Sequence, residues 1–167
     1  MNENNPESLI SKSKEYLLKA YQLQMDGKFE EAILNYKKSL NIHPTPEAHT
    51  YLGWTYSFIG DFEKAIDECK TAISLDPEFG NPYNDIGSYY VSQGKLDESI
   101  IWFERAKRAT RYESRHFPYL NLGRVYAAKG MKLRAIREFE GALEIEPGEE
   151  SCLKALQGLR SSLVEVG

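Results

Sequence analysis

Small and apolar residues recur along the chain in four copies that keep the same phase. One column consists of glycines separated by 33, 34 and 36 residues: Gly27, Gly60, Gly94 and Gly130. The same offsets connect a column of isoleucines: Ile33, Ile66, Ile100 and Ile136. They also connect a small-residue column: Ala20, Gly53, Gly87 and Gly123. Agreement among so many columns indicates an internal repeat, which a single matched dipeptide would not.

Each copy has the pattern of two helices joined by a tight turn. In the second copy, His49, Leu52, Gly53 and Tyr56 fall on one face of a helix. Gly60 then ends that helix, because glycine takes positive φ at little cost. A second apolar face follows it: Phe62, Ala65, Ile66, Cys69, Ala72 and Ile73. Pro77 ends this face, since the residue before a proline disfavours helix. Two antiparallel helices joined this closely must pack together.

The columns divide the chain into units at about 13–45, 46–79, 80–115 and 116–149. Residues 1–12 are predicted to be an N-terminal extension of the first helix, and residues 150–167 a C-terminal capping helix. Arg111 replaces the proline that closes the other units, and two extra residues follow it. We therefore expect residues 111–115 to form a longer connection.

This pattern resembles the tetratricopeptide repeat (TPR) family over about residues 13–147. The run Leu52-Gly53-Trp54-Thr55-Tyr56, followed by Ala65, Ala72 and Pro77, carries the resemblance. It implies an all-α fold: a right-handed α-solenoid of four TPR helix hairpins plus the capping helix. It also implies a non-enzymatic scaffold for protein–protein interaction, which binds a peptide or a helix of a partner in its concave groove. The first helices of the pairs would line that groove.

Composition narrows the class of protein without naming a function. Apolar residues make up 41% and charged residues 28%, as in ordinary soluble globular proteins. No apolar run is long enough for a membrane span. The polar, acidic start lacks the features of a secretory signal, and two cysteines suit a reducing compartment, so we expect a cytoplasmic protein. A net charge of −4 argues against nucleic acid as the partner.

The predicted groove has an apolar half and a polar half. Inward-facing apolar residues in the first two units are Leu17, Tyr21, Tyr51, Trp54 and Phe58. Exposed aromatic residues are not needed to build a repeat and are typical of binding hot spots. In the other two units, Asn84, Asn121 and Arg124 are suited to bind a peptide backbone or a carboxylate. Leu18 and Met25 are predicted to be partly buried.

Other interpretations of these residues stay open. The aromatic side chains would have a structural role if they packed against one another or against the first helix. Asn84 and Asn121 would have one if they formed a hydrogen bond between neighbouring helices. The alternative function is structural homo-oligomerisation, in which the apolar half of the groove or the first helix forms a homodimer contact.

The resemblance also bears on one specific partner. Family members that hold heat-shock chaperone tails use a clamp of Lys, Asn and Arg residues in the groove. The matching positions here are occupied by other residue types: Leu17, Tyr21, Tyr51, Asn81 and Asp85. The sequence therefore argues against a heat-shock chaperone tail as the ligand.

Charge is distributed unevenly along the chain. Residues 61–98 contain nine acidic and three basic residues, whereas residues 101–140 contain ten basic and four acidic residues. Basic side chains near the third turn between units would attract an acidic partner or a phosphate: Arg105, Lys107, Arg108, Arg111 and Arg115. The alternative is an ordinary solvated helix face with i, i+4 ion pairs.

The sequence shows no arrangement typical of catalysis. His43, His49 and His116 lack metal-ligand spacing. The glycines follow the repeat and do not form a phosphate-binding loop. Cys69 belongs to a core column, which favours burial over reactivity. We therefore predict no enzymatic activity, no cofactor and no metal.

Overall fold

The computed structural model describes residues 5–164, and within this range nine α-helices and no strand are formed. The helices are α1 (Pro6–Met25), α2 (Phe29–Ile42), α3 (Pro46–Phe58), α4 (Phe62–Leu75), α5 (Asn81–Ser92), α6 (Leu96–Arg108), α7 (His116–Ala128), α8 (Lys132–Ile145) and α9 (Glu150–Val164). The all-α prediction is confirmed. Among these helices, none has the length and apolarity that a membrane crossing requires.

The helices pack as four hairpins that are stacked in chain order. The most extensive contacts join α1 to α2, α3 to α4, α5 to α6 and α7 to α8, and α9 packs on α8. The predicted N-terminal extension is helical from Pro6. Residues 1–4 of that extension and residues 165–167 of the predicted cap lie outside the described residues.

Glycine conformation explains the turn inside each hairpin. The four turn glycines, Gly27, Gly60, Gly94 and Gly130, have φ between +72° and +79°. Nothing lies within 4 Å of the place where a Cβ would be at any of them. Backbone conformation, and not lack of space, therefore requires glycine at these turns.

A different group of glycines lets the two helices of a hairpin approach closely. A Cβ on Gly87 would lie 2.6 Å from the ring of Phe103, and one on Gly123 would lie 2.6 Å from the ring of Phe139. Both rings are fully buried. The small and aromatic columns of the sequence are thus the two sides of one contact, repeated from hairpin to hairpin.

The connection between α6 and α7 is tied to the earlier connection between α4 and α5. The N–H of Arg111 donates to the carbonyl of Glu78 at 2.9 Å, and the N–H of Gly80 donates to the carbonyl of Arg111 at 3.0 Å. These bonds form a parallel β-bridge between Phe79 and Arg111, the one isolated bridge in residues 5–164. The expected longer connection is therefore present and has a fixed conformation.

The first helices of the four hairpins form the inner wall of the stack: α1, α3, α5 and α7. Helix α3 contacts both α1 and α5, and α5 contacts α7. Consecutive even-numbered helices contact each other less. The even-numbered layer is therefore the more widely spaced, outer one, and the groove predicted from the sequence lies along α1, α3, α5 and α7.

Candidate peptide-binding groove

Two tyrosines from neighbouring hairpins meet on the inner wall. The rings of Tyr21 on α1 and Tyr51 on α3 pack edge to face with their centroids 5.5 Å apart. Tyr51 also stacks on the buried ring of Tyr36 at 6.3 Å. It is half-buried, and burial raises the pKa of its hydroxyl. Tyr51 therefore contributes to repeat packing as well as to the groove surface.

A second aromatic pair lies one helical turn further along α3. Trp54 and Phe58 have ring centroids 5.3 Å apart, and Phe58 stacks on Phe29 of α2 at 5.2 Å. Despite these contacts, 37% of Trp54, 49% of Phe58 and 40% of Tyr21 remain exposed. The aromatic residues thus pack against one another and still leave an apolar surface open to solvent.

Leucine and methionine side chains of α1 extend this surface. Leu17 is half-buried and packs against the core cluster. Leu18 and Met25 are 70% and 47% exposed, so the prediction that they are partly buried is wrong. In the repeat pattern Leu18 corresponds to Tyr51, which contacts the preceding hairpin, and no described hairpin precedes α1 to cover Leu18.

The polar half of the groove contains a hydrogen bond between hairpins. Nδ2 of Asn121 on α7 donates to Oδ1 of Asn84 on α5 at 3.0 Å, and Asn84 is buried. Beside them is a cavity of about 430 Å³ with apolar walls that include Val91 and Val125. Asn121 and the exposed Arg124 also line this cavity. The structure therefore brings the three predicted polar residues together.

A carboxyl group lies near the middle of the inner wall. Burial raises the pKa of Asp85 on α5 to about 7. Burial also raises the pKa values of Cys69, Tyr89 and Tyr112, and the negative charge of Asp85 adds to each of these shifts. In the sequence, Asp85 is distinguished only as a residue that does not fit a chaperone-tail clamp. The available signal was an acidic residue at an inward position where the preceding repeat has Tyr51.

A buried glutamine joins the first three helices and was missed as a key residue. Oε1 of Gln24 accepts hydrogen bonds from the Tyr36 hydroxyl at 2.7 Å and from the Thr55 hydroxyl at 2.8 Å. Gln24 is 2% exposed. The amide thus fixes the relative positions of α1, α2 and α3 beneath the aromatic surface.

Two of the five basic residues considered for anion binding are occupied by internal contacts. Arg111 pairs with Glu47 at 2.8 Å and with Asp76 at 2.7 Å. Its guanidinium also lies 4.2 Å from the Phe79 ring centroid. Hydrogen bonding to Arg111 lowers the pKa of the Asp76 carboxyl. These contacts make Arg111 a structural residue, contrary to the binding hypothesis.

Lys107 is the second occupied base. Its Nζ lies 2.6 Å from a carboxylate oxygen of Glu138 and 4.3 Å from the Tyr119 ring centroid.

The two cysteines are free and buried, and burial raises the pKa of both thiols. No group of three or more metal-ligating side chains is found among residues 5–164.

Comparison with known proteins places the chain among helical repeat proteins. Family models described as tetratricopeptide repeat match residues 46–79, 81–111 and 118–149. The small glutamine-rich tetratricopeptide repeat-containing protein 2 of Mycosarcoma maydis is 31% identical over 101 residues, which cover 56% of this chain and 29% of that protein. The chain therefore spans less than a third of the length of this relative.

Two further matches cover a larger share of the protein to which the chain is compared. The photosystem I assembly protein Ycf3 of a strain of Prochlorococcus marinus is 28% identical over 120 residues, which cover 64% of this chain and 69% of that protein. The solved structure of pilF from Pseudomonas aeruginosa has a TM-score of 0.84 at 22% identity and covers 93% of this chain and 70% of that chain. At 22% identity, the similarity to pilF shows the fold alone. With the repeat models matching more than half of its residues, the chain belongs to the tetratricopeptide repeat family.

Proposed function

We propose that the protein is a non-enzymatic scaffold that binds a peptide or a helix of a partner protein along its inner wall. The observation that carries this proposal is the open aromatic surface formed by Tyr21, Trp54 and Phe58. Proteins rarely leave contiguous apolar area in water without a binding role. Ycf3, which is named as an assembly protein, lends support at the level of function class.

The aromatic half would supply most of the binding free energy. Trp54 and Phe58 are already held against each other and against Phe29, so a ligand has few side-chain rotations to freeze. Burying each remaining exposed ring area contributes about 25 cal/mol per Å² of apolar surface. A partner with apolar side chains spaced along a helix or an extended strand fits this requirement.

The polar half would orient the ligand. The Arg124 guanidinium is exposed beside an apolar cavity, a combination suited to a carboxylate followed or preceded by an apolar side chain. Asn121 donates one amide hydrogen to the side-chain oxygen of Asn84, and both side chains keep further donors and acceptors for a peptide backbone. Recognition would thus combine apolar burial in the first half with directional bonds in the second half.

We infer a cytoplasmic setting for this activity. Free Cys69 and Cys152, both buried and unpaired by any disulfide, suit a reducing compartment. The proposed partner is a protein, with neither nucleic acid nor a heat-shock chaperone tail as the ligand.

Affinity capture from the native cell tests the proposal directly. Baits would be the wild type, Trp54→Ala and the control Ile101→Ala, which removes a 56% exposed side chain from outer-layer helix α6. We expect Ile101→Ala to retain the captured partner and Trp54→Ala to lose it, with both variants equally helical by circular dichroism. Equal capture by all three baits would eliminate the groove as the binding site.

The alternative, a homodimer formed through the apolar half or through α1, rests on the same exposed surface. Exposed Leu18 and Met25 favour it, because they extend that surface along α1. Sedimentation equilibrium over a dilution series separates the two functions. A dimer that is lost in Trp54→Ala supports self-assembly, and a monomer at all concentrations supports a foreign ligand.

A further inference from the structure

A groove in the outer layer departs from the pattern of the two repeats beside it. In the second hairpin, Nδ1 of His49 on α3 lies 2.6 Å from the Glu68 carboxylate on α4. Between α6 and α8, Nζ of Lys107 lies 2.6 Å from the Glu138 carboxylate. Glu68 and Glu138 occupy the same repeat position, immediately before the core residues Cys69 and Phe139. Each of these two glutamates therefore has a basic side chain within hydrogen-bond distance.

The third hairpin, whose helix α6 faces α4, has no glutamate at this repeat position. Trp102, which immediately precedes Phe103, stands where the neighbouring repeats have glutamate. The result is an open groove of about 370 Å³ between α4 and α6, with Trp102 and Tyr83 among its walls. The Tyr83 and Trp102 ring centroids lie 6.3 Å apart. The replacement of the glutamate by an indole gives this groove an aromatic wall.

Three basic side chains surround the same groove: Lys70, Arg105 and Arg108. All three are exposed, and within residues 5–164 none of them forms an ion pair. The Arg105 guanidinium lies 4.8 Å from the Trp102 ring centroid. Two of these bases, Arg105 and Arg108, correspond to Gly141 and Glu144 in the next repeat. Their positive charge is thus a local feature and not a property of the scaffold.

One acidic residue also lines the groove, and it is held by a neighbour. The Glu78 carboxylate accepts hydrogen bonds from the backbone N–H of Thr110 at 3.3 Å and from the Thr110 hydroxyl at 2.5 Å. Three bases against one acid leave an excess of positive charge around an apolar and aromatic wall. Charge of one sign beside a partly exposed aromatic surface is complementary to a segment that carries acidic groups and an apolar side chain.

We propose that the groove between α4 and α6 is a second binding site, which takes an acidic peptide segment of a partner protein with an apolar or aromatic residue inside it. The apolar residue would lie against Trp102, and the flanking carboxylates would pair with Lys70, Arg105 and Arg108. A nucleic acid fits less well, because the groove has no row of aromatic residues on which successive bases stack. This site is on the opposite layer from the groove of α1, α3, α5 and α7 and is independent of it.

The two tryptophans of the chain allow the sites to be tested separately. Trp54→Phe leaves Trp102 as the one tryptophan, and Trp102→Phe leaves Trp54. The probe is the blocked pentapeptide Glu-Asp-Phe-Glu-Asp at low salt. In the Trp54→Phe background we expect a saturable change in Trp102 emission that weakens at least tenfold in roughly 0.5 M salt. Trp54 emission in the Trp102→Phe background should not change.

Matched charge variants locate the binding. In the Trp54→Phe background, Arg105→Gln with Arg108→Gln should weaken binding of the pentapeptide at least tenfold. Lys132→Gln with Arg137→Gln removes the same charge from α8 and should weaken it less than threefold. Because the altered side chains are exposed or partly exposed, both double variants should melt within a few degrees of the parent.

Several results would overturn this site. They are an unchanged Trp102 emission, equal weakening by the two double variants, and equal binding of the amide analogue Gln-Asn-Phe-Gln-Asn. Equal binding of a short single-stranded oligonucleotide of the same charge would point to a nonspecific anion surface and would likewise overturn it. None of these results bears on capture through Trp54, so the failure of one site does not decide the other.

Discussion

Asn121 on α7 donates its side-chain amide hydrogen to the carbonyl oxygen of Asn84 on α5 at 3.0 Å, across the boundary between two hairpins. Asn84 is buried, so few other donors are available to that oxygen. The pair therefore has a structural role, whatever it also contributes to a ligand.

Replacing Asn121 with Leu should destabilise the fold, because the change leaves a buried acceptor without its donor. We expect a loss of about 1–3 kcal/mol in the free energy of unfolding, measured by urea denaturation. The double variant Asn84→Leu with Asn121→Leu removes both polar groups and should recover part of that loss. A single variant as stable as the wild type would contradict a role for this bond.

Gln24→Met should destabilise the fold. The change keeps the length of the side chain and removes the acceptor of the buried Tyr36 hydroxyl, whereas the Thr55 hydroxyl keeps the Tyr51 carbonyl at 2.9 Å as an acceptor. We expect a loss of about 1–3 kcal/mol, because one buried donor is left without a partner. Tyr36→Phe removes only one of the two donors and should cost less. Equal costs for these two variants would argue against a shared acceptor.

Asp85 should give the fold an unusual pH dependence. Its pKa in the folded state is about 7, against an ordinary value of 3.8. Between these values the folded state binds the proton more tightly than the unfolded state, so this residue makes the fold less stable as the pH rises from about 4 to about 7. At a pH of about 8, Asp85→Asn should be more stable than the wild type by roughly 1–3 kcal/mol.

The comparison at low pH isolates this effect from other acids. Asp76 and Asp61 have lowered pKa values and contribute in the opposite direction, losing stability as the pH falls. The difference between Asp85→Asn and the wild type should therefore shrink toward zero near a pH of about 4, as the Asp85 carboxyl becomes protonated in both states. Glu63→Gln, which removes an exposed acid from α4, serves as the control for the loss of one negative charge. A difference that is constant with pH would refute a raised pKa for the Asp85 carboxyl in the folded state.

Gly80 should tolerate no side chain. A Cβ at this position would lie 2.4 Å from Cγ of Tyr112, whose ring is held in the connection between α6 and α7. We expect Gly80→Ala to cost about 1–3 kcal/mol through displacement of that ring. Gly158→Ala on α9 has open space around the added Cβ and should instead stabilise by about 0.5–1 kcal/mol. An unfolding temperature that is lowered by Gly80→Ala and raised by Gly158→Ala would confirm the contact.

The hairpins were predictable from the sequence because local chemistry fixes them. Gly60 and its counterparts require positive φ, and Gly87 faces Phe103 at a distance that no other residue allows. These are properties of single positions, repeated from one hairpin to the next. Pattern alone is enough to place such helices and their turns.

The surfaces were harder to predict, because they depend on which neighbour covers each side chain. Leu18 has the spacing of a buried residue and is exposed, since no described hairpin covers it. Asn84 and Asn121 suited either a ligand or each other, and the hydrogen bond between them depends on how α5 and α7 pack. Likewise Arg105 and Lys107 lie two residues apart in the chain. Lys107 forms an ion pair with Glu138 because α8 packs beside it, whereas Arg105 lies over the Trp102 ring.

Each boundary between hairpins carries at least one directional polar contact: Gln24 with Thr55, Arg111 with Glu47, and Asn121 with Asn84. Apolar interfaces can slide or rotate with little change in area, whereas directional contacts favour one angle between neighbouring units. Under the proposed function, an inner wall whose shape is favoured in this way before binding would lose little conformational entropy when it takes up a short segment.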